Sequence, residues 1–112
     1  MDIRTHWRQQ VLVIAPQGRL DTVTAPDFDA QVKLLLDAPA TRVAIDCSAL
    51  DYVSSAGLRS FLVVHKTLKE AGGALRFAGV TGNIREVLDI CGLTKLFALD
   101  PTVAESVAAL QA

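Results

Sequence analysis

Ile3, Thr5 and Trp7 alternate with Arg4, His6 and Arg8, the period of two that marks a strand with one wet face. Gln9-Gln10 reads as a turn, although it lacks the Gly or Asn of a tight hairpin. Val11 to Ala15 is continuously apolar and suits a strand covered on both faces. After Gly18-Arg19-Leu20-Asp21 the period changes. Thr24 can cap a helix, Pro26 is tolerated in a first turn, and Asp27 suits the positive end. Phe28, Val32, Leu35 and Leu36 then share one helix face, and Pro39 closes it. Val43 to Cys47 is the next strand. From Leu58 to Ala71 the stripe Gly57, Phe61, Val64, Leu68, Ala71, widened by Leu58 and Leu62, predicts a helix with Arg59, Lys66 and Glu70 on its wet side. Gly72-Gly73 stops it.

Leu75 to Ala78 is a further strand. Thr81-Gly82-Asn83 opens a helix bearing Ile84, Val87, Leu88 and Cys91, which Gly92 ends. Leu96 to Leu99 predicts a short last strand. Asp100-Pro101 then caps a final helix with Val103, Val107 and Leu110 on its apolar face. The order β-β-α-β-α-β-α-β-α implies an α/β fold: a four- or five-stranded mixed, mainly parallel sheet with about four helices packed on it. The short first connection makes the N-terminal strand antiparallel. Partners and ligands gather at the carboxyl ends of such strands. Asp21, the stretch Asp51 to Ser55, and Thr81-Gly82-Asn83 should therefore meet on one rim.

Composition narrows the function. The 112 residues are expected to form a single domain, residues 1–112, with half of them apolar and a net charge of −1. No Lys/Arg cluster suggests a nucleic-acid surface. No apolar run approaches a membrane span, and the first residues do not resemble a signal peptide. Cys47 and Cys91 lie far apart in apolar surroundings, which reads as two buried free thiols in a reducing cytoplasm rather than a metal site. His6 and His65 are isolated.

Two serines stand where strand gives way to helix, at Ser54-Ser55-Ala56-Gly57. Either can cap the helix. A helix start can also hold a phosphate. No His is available in the rim loops as a base, and a carboxylate such as Asp21 or Asp51 activates serine poorly. Glycine-rich phosphate loops and Cys-x-x-Cys pairs are missing. The residues thus suggest neither an enzyme nor a bound cofactor or metal. A serine at a helix start without a base is better suited to being modified than to attacking.

The chain resembles the STAS domain family, and within it the anti-sigma factor antagonists. Gly18-Arg19-Leu20-Asp21 with Thr24-Ala25-Pro26 is similar to the family's G-x-L-D…T-A segment. Val43-Ala44-Ile45-Asp46 and Leu50 to Leu58 are similar to its signature strand, loop and helix start. Gly92-Leu93-Thr94-Lys95-Leu96-Phe97 is similar to its G-L-x-x-L-F. The resemblance implies a switch. An unphosphorylated antagonist binds an anti-sigma factor that is also a serine kinase; phosphorylation ends binding, and a serine phosphatase restores it. The phospho-acceptor of the family's D-S-S-G loop falls on Ser55, and Asp21, Ser54, Ser55, Ala56, Gly57 and Arg59 are the implied docking residues. Ser54 stands where that pattern has Asp, and Ala56 where it has Ser or Thr. The alternative within the family is an unphosphorylated subunit of a lipid-transport or sensor complex.

Overall fold

The computed structural model describes residues 1–37 and 42–111. The closing role expected of Pro39 therefore lies outside the described residues. The elements run β1 (Ile3–Arg8), β2 (Val11–Pro16), β3 (Gly18–Leu20), α1 (Ala25–Asp37), β4 (Arg42–Asp46), β5 (Leu50–Val53), α2 (Ser55–Glu70), β6 (Ala74–Ala78), α3 (Gly82–Ile90), β7 (Ala98–Asp100) and α4 (Val103–Gln111). A 3-10 turn, Leu93–Lys95, precedes β7. The main sheet has five strands in the order β1-β2-β4-β6-β7. Only β1 is antiparallel to its neighbour. Fold class and strand sense are those expected from the strand–helix alternation.

The strand pattern divides the core in two. Leu12, Ile14, Val43, Ile45 and Phe77 face α1, α2 and α3. Val11, Val13 and Ala44 face α4, through Val107 and Leu110. This explains the unbroken apolar run of β2, which is covered on both faces. In the larger core a row of rings links the elements. Phe28 of α1 meets Phe61 of α2 edge-on at 6.0 Å, Phe61 meets Phe77 of β6 at 5.0 Å, and Phe77 meets Phe97 at 4.6 Å. Tilted and T-shaped pairs of this kind add to the burial of the rings.

Several local expectations need correction. Gly18–Leu20 and Leu50–Val53 are not plain loops; they pair in parallel as a separate two-stranded sheet. The face of β1 expected to be dry is covered only at its start, where Ile3 packs against the core; Thr5 is exposed and Trp7 is 59% exposed. Cys91 is exposed, because it follows the last turn of α3 instead of continuing its apolar face; Cys47 is buried. The Thr24 hydroxyl does not cap α1: it accepts the Asp21 N–H at 2.9 Å and donates to the Arg19 carbonyl at 2.9 Å. Leu96 and Phe97 precede the last strand, which begins at Ala98. Thr102, not Asp100, caps α4, through the Glu105 N–H at 3.2 Å.

Asp100 has a different duty at the end of β7. Arg76 donates to it from Nε at 2.7 Å and from Nη2 at 3.1 Å, and Ser106 of α4 donates at 2.7 Å. The Arg76 guanidinium holds the Asp100 carboxyl below the usual range, with burial opposing it. A carboxyl depressed in the folded state stabilises above its unfolded pKa and loses that contribution as pH falls through the folded value. We expect Asp100→Asn to cost about 1–2 kcal/mol at pH 7 in urea unfolding. The gap to wild type should shrink as the pH falls below about 4. A gap that stays constant with pH would show that the ion pair is not the source.

Gln9 and Gln10 both adopt positive φ, 51° and 69°. That is the signature of a tight hairpin turn of the type that Asn-Gly fits best. Side chains other than Gly strain there by about 1 kcal/mol or more. Replacing Gln9-Gln10 by Asn-Gly should raise stability by roughly 0.5–1 kcal/mol. A fall in melting temperature would contradict this account of the turn.

Candidate functional site

The small sheet builds the site. Gly18 N–H bonds the Ala49 carbonyl at 2.9 Å, and β3 then runs beside β5 to Leu20 and Val53. The Leu20 carbonyl accepts the Ser54 N–H at 2.9 Å, tying the start of α2 to the end of β3. Ser54 is extended (φ −93°, ψ 178°) and its Oγ accepts the Gly57 N–H at 3.4 Å, so Ser54 is the N-cap. Ser55 is the first residue of the helix and is exposed. Its hydroxyl has no hydrogen-bond partner among the described residues. The choice between the two serines is thereby resolved: Ser54 caps and Ser55 is free.

Gly57 is buried beneath that turn. A Cβ there would lie 2.6 Å from Val53 Cγ2, 2.8 Å from the Leu20 carbonyl oxygen and 2.9 Å from Leu20 Cγ. Two of these neighbours are packed side chains and one is backbone, so none can withdraw cheaply. The glycine is there for close approach, in spite of its poor helix propensity.

The loops expected on the rim do meet. Asn83 Nδ2 donates to the Asp51 carbonyl at 3.1 Å, joining the third loop to the second. Asp21 belongs to the first. Its Oδ1 accepts the Val23 N–H at 3.0 Å and the Thr24 N–H at 3.2 Å. The Thr24 N–H, with smaller help from Val23 and Arg19, holds the Asp21 carboxyl below its ordinary value. Asp21 is half-buried and fastens its own loop. Arg19 bridges to it at 3.5 Å and lies 4.2 Å over the Tyr52 ring. The β3–β5 cross-link leaves little trace in the residue pattern beyond the β-forming pair Tyr52-Val53.

Among the remaining residues, Arg59 is exposed one turn below Ser55, and Ala56 is half-buried. Both line a hollow of about 220 Å³ with Thr22, Pro26 and Asp29. A larger groove of about 380 Å³ continues between α1 and α2, past Val63 and Lys33. No described group of His, Cys, Asp and Glu could hold a metal ion, and no described helix is long and apolar enough to cross a membrane.

This arrangement is that of a known class. Residues 2–106 match the STAS domain, and the chain belongs to that family. BtrV of Bordetella bronchiseptica, whose name marks it as a candidate anti-sigma factor antagonist, is 34% identical over 87 residues, 78% of this chain and 75% of that protein. A candidate anti-sigma factor antagonist from Thermotoga maritima superposes with a TM-score of 0.94 at 16% identity, over 98% of this chain and 95% of that one. The Bacillus cell fate determinant SpoIIAA in its phosphorylated form superposes with a TM-score of 0.74 at 18% identity, over 96% and 98% of the two chains. The last two show the shared fold.

The geometry separates the neighbouring serines and the glycine. Gly57→Ala should cost about 1–3 kcal/mol through overpacking, although alanine favours helix. Ser54→Ala should cost about 0.5–1 kcal/mol as the cap is lost, and Ser55→Ala should be close to neutral. Urea unfolding of the three variants checks the order. A Ser55→Ala variant less stable than Ser54→Ala would overturn the assignment of the cap.

Proposed function

We propose that the chain is an anti-sigma factor antagonist acting as a phosphorylation-controlled partner switch in the cytoplasm. Unmodified, it binds an anti-sigma factor that is also a serine kinase. That kinase phosphorylates Ser55 and binding ends; a serine phosphatase restores it. The reading is of a binding protein, without catalysis of its own. The observation that carries it is the free, exposed Ser55 hydroxyl at the first turn of α2, beside a serine that already caps the helix. Membership of the STAS family and the name of the BtrV relative support it.

The docking surface in this reading comprises Asp21, Ser54, Ser55, Ala56 and Arg59, with buried Gly57 setting the height of the turn. Ser54 and Asp are both strong N-caps, so having Ser54 in place of the pattern's Asp keeps the cap and drops a charge beside the acceptor. A phosphoserine adds roughly −1.5 to −2 charges at pH 7. At a helix N-terminus such charge is favourable, typically by about 0.3–1 kcal/mol. The fold therefore survives modification, and affinity falls at the interface, where the new charge must be desolvated or clash.

Incubation with the cognate anti-sigma kinase and ATP, followed by phosphopeptide mapping, tests the acceptor. Phosphate should appear on Ser55, and Ser55→Ala should abolish it. Full phosphorylation of Ser55→Ala at Ser54 would move the acceptor, and no phosphorylation of either serine would favour a permanent STAS subunit. Ser55→Glu should melt near the wild-type temperature yet bind at least about tenfold more weakly in calorimetric titration. The enzymatically phosphorylated protein is the stronger form of the same comparison. Undiminished affinity of that form would end the mechanism.

A further inference from the structure

A second surface lies at the outer edge of the sheet. β1 is an edge strand, paired on one side only. In an antiparallel ladder alternate residues exchange hydrogen bonds with the partner strand. The two-residue turn makes Arg8 and Val11 such a pair, followed by His6 with Val13 and Arg4 with Ala15. The Gln17 N–H to the Asp2 carbonyl at 3.0 Å continues the series. Ile3, Thr5 and Trp7 therefore turn their N–H and C=O groups outward.

The side chains of this edge divide by charge. Ile3, Thr5 and Trp7 lie on one face of the strand and Arg4, His6 and Arg8 on the other. The three basic side chains are exposed and have no ion-pair partner among the described residues. On their face of the sheet, α4 packs on β2, β4, β6 and β7. On the opposite face Trp7 is 59% exposed, and Leu34 is 73% exposed. Leu34 sits on the flank of α1 that carries Asp27 and Gln31, the residues bonded to Met1 beside β1.

Basic residues on an edge strand can simply deter self-pairing. They oppose a second copy in one register. Pairing β1 with itself about a two-fold axis through His6 sets Arg4 against Arg8 twice, and like charges so placed destabilise a ladder, whereas an axis through Thr5 sets Arg8 against Asp2, an opposite pair. Deterrence does not account for a large exposed indole. An indole is instead a strong anchor for a partner.

We propose that the outer edge of β1 is a strand-addition site for an extended, acidic segment of a partner protein. Such a segment pairs its backbone with Ile3, Thr5 and Trp7. It lays acidic side chains at alternate positions beside Arg4, His6 and Arg8, and the apolar residues between them against Trp7. The site is independent of Ser55.

The test titrates a short capped peptide that alternates glutamate with valine into the isotopically labelled protein, followed by NMR. Saturable shifts should appear at Ile3, Thr5 and Trp7 and weaken as salt rises. The matching lysine–valine peptide should not bind. Thr5→Pro removes an outward N–H but no β1–β2 bond, so the variant should stay folded and lose at least about tenfold in affinity. The double variant Arg4→Glu with Arg8→Glu tests the site without touching the backbone and should prefer the lysine peptide. No saturable shift on β1, equal binding of both peptides, undiminished binding by Arg4→Glu with Arg8→Glu, or a concentration-dependent dimer through β1 would each overturn the proposal.

Discussion

One carbonyl fixes the geometry of the site. The Leu20 oxygen accepts the Ser54 N–H at 2.9 Å and would lie only 2.8 Å from a Cβ on Gly57. A helix can begin this close to a strand end only where a side chain is missing. The close approach lets Val53 and Leu20 pack under the first turn of α2, with Phe61 and Val64 buried further along the same helix. Ser55 is consequently held outward at a joint fixed by packing and a backbone hydrogen bond. The row Phe28, Phe61, Phe77 and Phe97 anchors the rest of α2 to α1 and the sheet.

The electrostatics of the joint suit a reversible charge. Ser54 accepts one of the N–H groups that a helix start leaves unpaired, and other N–H groups there remain for a ligand or a phosphate. Asp21, the nearby rim carboxylate, is committed to Val23 and Thr24 and fastens its own loop. A phosphate on Ser55 would thus enter a site that tolerates negative charge. In the proposed switch the fold is a platform, and the change that matters takes place on its surface.

The large features of this structure were legible because they rest on periodicity over many residues. The stripe from Gly57 to Leu68 and the apolar runs of β2 and β4 each specify an element and the face it buries. The β3–β5 pair was not legible, since three or four residues carry no usable period. Trp7 misled for a different reason: alternation shows that a strand has two faces, but not whether anything covers either. The cap of α4 moved from Asp100 to Thr102 because Asp100 was drawn away by Arg76, a partner 24 residues distant. Ser55 could be located by motif and helix start. That Ser54 caps and Ser55 is unbonded is a property of the folded joint, which the sequence pattern does not carry.

The most direct measurement is amide hydrogen exchange, by NMR, on the unmodified and the enzymatically phosphorylated protein. The Ser54 amide, bonded to the Leu20 carbonyl, reports the joint itself. The account predicts that its protection is the same or greater after phosphorylation, while affinity for the anti-sigma factor falls. Faster exchange at Ser54, with loss of protection spreading into Leu58 and Phe61, would show that the phosphate acts by undoing the joint and would contradict a switch confined to the surface.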